Sequence, residues 1–292
     1  MSSSAVRSSR TAVSLDLLAQ KAMFIRLETV RLGRIAGAGH YSAVFSAAEL
    51  FAALYYSELR VDPAKPRDPD RDRFVLSKGH AAIGLYPVLA DLGFYDPSLL
   101  DDFTRMGSAF GDHPDMKKIP GIDFSSGSLG HGLSIGFGMA MAGRMSDLGY
   151  RTWVMLGDGE LAEGQIWEAA MSAGHYRLGR LRVIVDANQL GIDGFTKDVM
   201  TVEPIAQRFE SFGWQTHRVD GHDLPRILDT FASLPDTDEG LPQCIVADTI
   251  KGRGVRRMEL SPDWHVGNLV GADYDDVVAE LSAGLSSAGD PR

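Results

Sequence analysis

The 292-residue chain has a single cysteine, Cys244, so no disulfide can close within it. Cys244 sits in the run Cys-Ile-Val-Ala, where a thiol behaves as a small buried hydrophobe, and such sparing use of cysteine suits a reducing, cytosolic setting. Long apolar runs are also missing. No uncharged stretch reaches the ~18 residues that cross a bilayer, so no membrane span is expected. Positive charge is scarce: 29 Lys and Arg against 39 Asp and Glu leave a formal net charge of −10. That argues against nucleic acid or anionic lipid as partner, since both need a broad basic face. It leaves room for a local basic pocket for phosphate. No two histidines have the close spacing of a zinc motif and there is no Cys cluster, which argues against a histidine metal centre. Residues 1–12 are rich in Ser and Arg without an apolar stretch, so they read as a disordered start and not a secretory signal.

What is present is an ordinary globular composition, 44% hydrophobic and 23% charged. Residues 13–292 show no internal repeat and no clean linker, and read as one domain. Ser14 caps a helix whose apolar positions run at helical spacing to about Leu32. Gly37–Ser42 is a Gly-rich break, and Ala47–Tyr56 reads as a buried helix. After the Pro-rich loop 63–72, Phe74–Leu76 is a short strand, followed by helices at Ala81–Leu92 and Pro97–Met106. Gly107–Phe124 looks irregular. Leu133–Met145 is a helix of small residues, whose Gly136, Gly138, Ala140, Ala142 and Gly143 permit close packing on a neighbour. Helices at Ile205–Phe212, Leu224–Leu234 and Tyr274–Leu285 follow, with strands at Gly213–Val219 and Gln243–Ala247. Five strands near residues 74, 153, 183, 215 and 245, separated by helices, define an α/β fold: a doubly wound parallel sheet with helices on both faces.

The stretch from Trp153 to Gly194 organises the rest. Apolar runs at 153–156 and 183–185 flank a helical segment at 160–178, which makes a right-handed βαβ unit. Asp158 and Asn188 then fall just past the carboxyl ends of two parallel strands, where open α/β sheets bind ligands. One carboxylate, one amide oxygen and a backbone carbonyl near Leu190 make a hard-oxygen set suited to Mg²⁺, with positions left for a diphosphate and water. Gly157 and Gly159 allow a sharp turn and close approach of phosphate. An Asp-Gly turn alone is a weak signal. Five of the eight histidines, His40, His80, His113, His131 and His265, stand in loops or at helix starts beside Gly, Pro or Trp. They suit hydrogen bonding to phosphates and hydroxyls, with proton transfer.

Six motifs in order carry a resemblance: Gly39-His40, Arg73-Phe-Val-Leu-Ser-Lys-Gly-His80, Gly111-Asp-His113-Pro, Ser126-Gly127-Ser-Leu129-Gly130-His131-Gly132, Gly157-Asp158-Gly159 with Asn188, and Trp264-His265. From about Leu15 to Leu269 the chain resembles the N-terminal, thiamine diphosphate (ThDP) binding part of transketolase. The resemblance implies Mg²⁺ on Asp158, Asn188 and the Leu190 carbonyl. It implies a cofactor bordered by Gly127, Leu129, His131, Gly157, Gly159 and Glu160. His80 and His265 would lie near the diphosphate or thiazolium, and His40, His113 and His265 would face the sugar. Glu163 and Glu168 match carboxylates used at the subunit interface.

The family's activating glutamate lies in a pyrimidine-binding domain. The resemblance therefore implies the first subunit of a split, two-chain transketolase, inactive alone, in an α₂β₂ assembly that acts on sugar phosphates in the cytoplasm. His131 stands where full-length relatives have Gln, and Lys78 where they have Asn, both in the split manner. They leave the sugar open among pentose phosphates, branched sugars and sulfonated sugars. Arg253, Arg256 and Arg257 read as loop charges. Two rival readings remain: a deoxyxylulose-phosphate-type ThDP synthase, and a non-catalytic scaffold that keeps the fold.

Overall fold

The computed structural model describes residues 13–287, so the start at 1–12 lies outside the described residues. Helix α1, Leu15–Ala36, begins where the Ser14 hydroxyl accepts the Leu17 N–H at 3.2 Å. It runs four residues past the expected end and stops at Gly37, whose φ of 77° suits a residue without a side chain. The next segment departs from expectation. Instead of one helix at 47–56 there are α2 (Tyr41–Phe45) and α3 (Ala48–Ala53), the latter widening into a π-helical turn at Leu54–Glu58. All of α2 is buried, and a segment apolar nearly all round carries no amphipathic phase from which its ends can be read.

Strand β1 (Arg73–Leu76) leads through a 3₁₀ turn, Gly79–Ala81, into α4 (Ala82–Asp91). The expected helix from Pro97 is only a 3₁₀ segment, Pro97–Asp102. Then come α5 (His131–Met145), β2 (Thr152–Gly157), α6 (Gly164–His175) and β3 (Leu181–Ala187). The expected helix 160–178 is broken. Gly159–Ala162 is a 3₁₀ turn and Glu163 is extended before α6 starts. A short α7 (Thr196–Val199), α8 (Ile205–Ser211), β4 (Gln215–Asp220), α9 (Leu224–Ser233), β5 (Gln243–Asp248) and α10 (Ala272–Ser287) complete the described chain.

The five strands are all parallel, in the order β1-β2-β3-β5-β4. Side chains alternate along each strand, so each strand feeds two cores. Phe74, Trp153, Met155, Ile184 and Ile245 pack with α1, α3, α4, α9 and α10. Val75, Val154, Val183, Val185 and Val246 pack with α5, α6 and α8 on the other face. Right-handed crossovers explain the division. Connections moving from β1 to β2, β2 to β3 and β3 to β4 bring α5, α6 and α8 onto one face, and the return from β4 to β5 lays α9 on the opposite face. β3 is buried at every residue, whereas β4, at the sheet edge, keeps polar, largely exposed residues such as Gln215 and Arg218.

Helix α5 lies very close to the sheet. A Cβ at Gly136 would stand 2.3 Å from Val154, and one at Gly132 would stand 2.3 Å from Ser77. Gly143 is pressed likewise against Tyr150, whereas Gly138 faces open space and Ala142 is exposed. The expected close packing therefore belongs to one side of the helix only. No helix among the described residues is long and apolar enough to cross a membrane.

Candidate functional site

Five loops leave the carboxyl ends of the strands, and four of them meet around a cleft of about 300 Å³. Its floor is made by residues just past β1, β2, β3 and β5: Lys78 and His80, Asp158 to Glu160, Asn188 to Gly191, and Lys251 with His265. Leu129, Ile192, Val199 and Met200 form an apolar rim.

Asp158 is 3% exposed. Its Oδ1 accepts the Gly159 N–H at 2.8 Å and its Oδ2 accepts the Gln189 N–H at 2.5 Å. It forms no ion pair among the described residues. Burial, with the nearby Asp186 charge, pushes its carboxyl up to about 6. Asn188 lies alongside, 4% exposed, with its Nδ2 donating to Asp186 at 3.1 Å and its Oδ1 accepting the Leu190 N–H at 3.2 Å. Gln189 takes a left-handed φ of 70° that reverses the chain here. The Leu190 carbonyl accepts Lys251 Nζ at 2.8 Å, and Lys251 also donates to the Gly191 carbonyl at 3.0 Å. A carbonyl has two lone pairs, so this contact leaves Leu190 one site for a cation.

Asp186, the penultimate residue of β3, is a second buried carboxylate. Burial alone would raise its carboxyl. The Lys78 ammonium and the hydroxyls of Thr249 and Ser46 hold it below its ordinary value. Glu160 joins three loops. Its carboxylate accepts from Ser77, from Gly130 N–H at 2.8 Å and from Gly157 N–H at 3.0 Å. Burial raises its carboxyl against these donors. Glu160 thus lines the cleft but spends its oxygens on the protein, capping the start of α5. A Cβ at Gly157 would meet nothing within 4 Å, so this glycine opens space on the cleft side.

Three imidazoles gather beside the floor. Ring centroids lie 5.3 Å apart for His40 and His80, 5.6 Å for His40 and His265, and 5.4 Å for His80 and His265. Burial, reinforced by the Lys78 ammonium, pushes His80 well down, and burial with Lys251 pushes His265 down to about 3. Lys251 Nζ stands 2.8 Å from His265 Nδ1, and burial lowers its own ammonium to about 8. The two imidazoles are therefore neutral at pH 7 beside two buried ammoniums.

His113 stands further out, its ring 3.5 Å from where a Cβ on Gly127 would sit. His131 is not brought into the cleft: it is exposed at the start of α5, its Nδ1 2.7 Å from Gln165 Oε1 on α6. Glu163 and Glu168 are exposed at the beginning and middle of the α6 segment. Among the described residues, no group of three or more His, Cys, Asp or Glu side chains is arranged to hold a metal.

Sequence reasoning missed Lys251 and Asp186. Asp186 had a signal, because a carboxylate in a strand buried on both faces must be paired. Lys251 in Ile-Lys-Gly-Arg carried no pattern that set it apart from a loop lysine.

A doubly wound sheet with an oxygen-lined, lysine-backed cleft at its strand ends defines a ligand-binding α/β protein. The chain matches the family described as "Transketolase, thiamine diphosphate binding domain" over residues 19–283. It is 41% identical over 247 residues to one subunit of the apulose-4-phosphate transketolase of Phocaeicola vulgatus, covering 85% of this chain and 87% of that protein. It is 39% identical to the 6-deoxy-6-sulfo-D-fructose transketolase subunit SqwG of a Clostridium species, covering 91% and 96%. The transketolase structure from Campylobacter jejuni superposes with a TM-score of 0.85 at 27% identity, covering 94% of this chain but 43% of that one. The chain belongs to the transketolase family, in its thiamine diphosphate-binding part. It matches subunit-sized relatives nearly end to end and spans under half the length of the transketolases of solved structure.

Proposed function

We propose that this chain is the ThDP- and Mg²⁺-binding subunit of a two-chain transketolase, which moves a two-carbon ketol unit from a ketose to an aldose. The observation that carries the reading is the pair Asp158 and Asn188 at adjacent strand ends, with Asp158 buried and without an ion-pair partner among the described residues. The residues fit the metal. A carboxylate, an amide oxygen and the Leu190 carbonyl are hard donors, and one or two carboxylate-type ligands leave Mg²⁺ room for diphosphate oxygens. Lys251, in reach of the same carbonyls, adds positive charge for the diphosphate. The open space at Gly157 and the short approach of Gly159 to Gly191, 3.5 Å from an added Cβ, fit a ligand lying over both loops.

Bound there, thiamine diphosphate supplies the carbon nucleophile on which the ketose is cleaved. The chain's own residues orient and move protons. His80 and His265, held neutral, can each donate and accept one hydrogen bond close to the cofactor. His40, packed against both rings, and His113, further out, exchange protons with sugar hydroxyls and the carbonyl made or broken in this reading. Leu129, with Gly127 beside it, forms an apolar wall. His131 keeps its pairing with Gln165 and acts on the cofactor only through the loop that precedes it.

In this reading the activating glutamate and most groups for the substrate's acid end come from a pyrimidine-binding partner chain. Two copies of each chain assemble, with Glu163 and Glu168 at the interface. Relatives that are themselves named as transketolase subunits, of nearly the same length, support the split arrangement. The names of two such relatives carry apulose 4-phosphate and 6-deoxy-6-sulfo-D-fructose, which supports an anionic sugar as substrate in this reading. A cytoplasmic setting fits Cys244, a free, buried thiol. The test is reconstitution. Ketol transfer should appear, across a panel of ketose donors, only when the partner is added, and activity from this chain alone would overturn the split reading. In the complex, Asp158→Ala should abolish Mg²⁺-dependent ThDP binding; unchanged affinity would sink the metal assignment.

A further inference from the structure

We infer that Asp112 is a positioning residue for ketol transfer: it sets the tautomer and orientation of His40, so that Nε2 is the nitrogen offered to the sugar. The inference rests on the function proposed above for the cleft. Asp112 lies in the irregular segment before α5, far in sequence from His40. Its Oδ1 is nevertheless 3.2 Å from His40 Nδ1, and its Oδ2 is 3.5 Å from His113 Nδ1. An ionised carboxylate only accepts hydrogen bonds. The pairing with His40 lowers the Asp112 carboxyl, so it is ionised at neutral pH. The proton on His40 therefore resides on Nδ1. In the neutral ring Nε2 is then the acceptor, and no described residue holds it.

Both partners are anchored. The Tyr86 hydroxyl, from α4, donates to the Gly111 carbonyl at 2.9 Å, immediately before Asp112. His40 follows Gly39, whose N–H and C=O exchange hydrogen bonds with Gly267 at 2.9 and 3.1 Å. The carboxylate and the ring are thus set by two separate backbone attachments, as a geometric role requires.

The groups facing His40 divide the labour among the three imidazoles. His80 arrives from the 3₁₀ turn after β1 and His265 from the segment after β5, with Lys78 and Lys251 behind them. Those ammoniums oppose a positive charge on His80 and His265. Asp112 is the carboxylate paired with a member of the trio, and by holding the Nδ1 side of His40 it leaves Nε2 as the nitrogen that takes a proton from the sugar. His113, on the other side of the same carboxylate, shares that field. Of the three central histidines, His40 is the one equipped to accept and return a proton, while the other two serve as neutral hydrogen-bonding groups.

The experiment compares wild type, Asp112→Asn and Asp112→Ala. The Asn variant keeps the shape but can turn an NH₂ toward Nδ1, which favours the opposite tautomer. In the ¹⁵N-histidine NMR spectrum of the chain alone, the Nδ1–H signature of His40 should be lost in both variants with thermal stability unchanged. In the two-chain enzyme kcat should fall about tenfold or more, with ThDP affinity kept and KM moving less than kcat. Retention of the Nδ1–H signature in either variant overturns the inference, as does an unchanged kcat. If the wild-type complex fails to transfer ketol units, the functional reading falls, while the NMR comparison still decides whether Asp112 sets the tautomer.

Discussion

Asp186 and Asp158 are buried carboxylates at the ends of neighbouring strands, and Gly157, just before Asp158, pairs in register with Asp186. Their surroundings are opposite. Asp186 is met by an ammonium, two hydroxyls and an amide, all from this chain. Among the described residues, Asp158 is met by two backbone N–H groups and no cation. One region is finished and holds the loops after β1, β3 and β5 together. The other is built to a charge deficit, which a bound cation would satisfy. Burial of a carboxylate marks a ligand site only where the chain withholds the partner.

The contrast can be broken or sharpened, beginning with the largest effect. Lys78→Met leaves Asp186 buried and unpaired, and should cost the isolated chain about 3–5 kcal/mol in urea unfolding. Adding Asp186→Asn should recover much of that loss. A small loss in the single variant would show that the finished region is not held by its ion pair.

Next comes Asp158, through pH. Its folded carboxyl, near 6, lies above the ordinary value of 3.8. The folded chain therefore holds that proton more tightly than the unfolded one. The stability this confers is fully present below the unfolded pKa and is lost as pH rises through about 6, a swing of roughly 3 kcal/mol. The metal-free chain should be weaker at pH 7.5 than at pH 5 by about half of that swing, the rest being lost already between pH 3.8 and 5, and Asp158→Ala should remove this dependence from the unfolding profile. Identical pH profiles for the two proteins would refute the charge deficit.

The rim gives a smaller effect. Met200 and Ile192 are 60% and 62% exposed. Met200→Glu should leave the stability of the chain within about 0.5 kcal/mol while weakening association with the partner about tenfold, worth about 1.4 kcal/mol. Unchanged association, measured by sedimentation, would remove the rim from the interface. Smallest of all, Glu168→Gln should leave the unfolding of the isolated chain unmoved and only shift the concentration at which the complex assembles.

Much of this site was legible in the sequence because its landmarks are local. Gly157-Asp158-Gly159 and Asn188 follow short apolar runs whose ends are marked by turn residues, and the sheet puts both where those runs predict. The strands were legible for the same reason. What stayed hidden depends on distance along the chain. Lys251 reaches the Leu190 carbonyl, Asp112 reaches His40, and Lys78 reaches Asp186 across 108 residues. No spacing rule records such pairings. The break at Glu163 was hidden differently. Local propensity favours one helix from 160, but a 3₁₀ turn there places the Glu160 carboxylate among Ser77, Gly130 and Gly157, and that tertiary demand prevails. The α2 and α3 boundaries were hidden because both helices are apolar nearly all round.

The glycines on the inner side of α5 have a consequence for how this protein can vary. Where Gly132 and Gly136 face Ser77 and Val154, the backbone of the helix lies directly against those side chains. Nothing at those positions can be exchanged for a similar residue, because no residue is similar to one lacking a side chain. Contacts between larger side chains in the core offer some tolerance through repacking. Here a single added methyl would lift the helix off the sheet and carry with it the loop from Gly127 to Gly130. Room to reshape the cleft is therefore confined to the rim and the loops, while the spacing between helix and sheet must be kept or the cleft is lost.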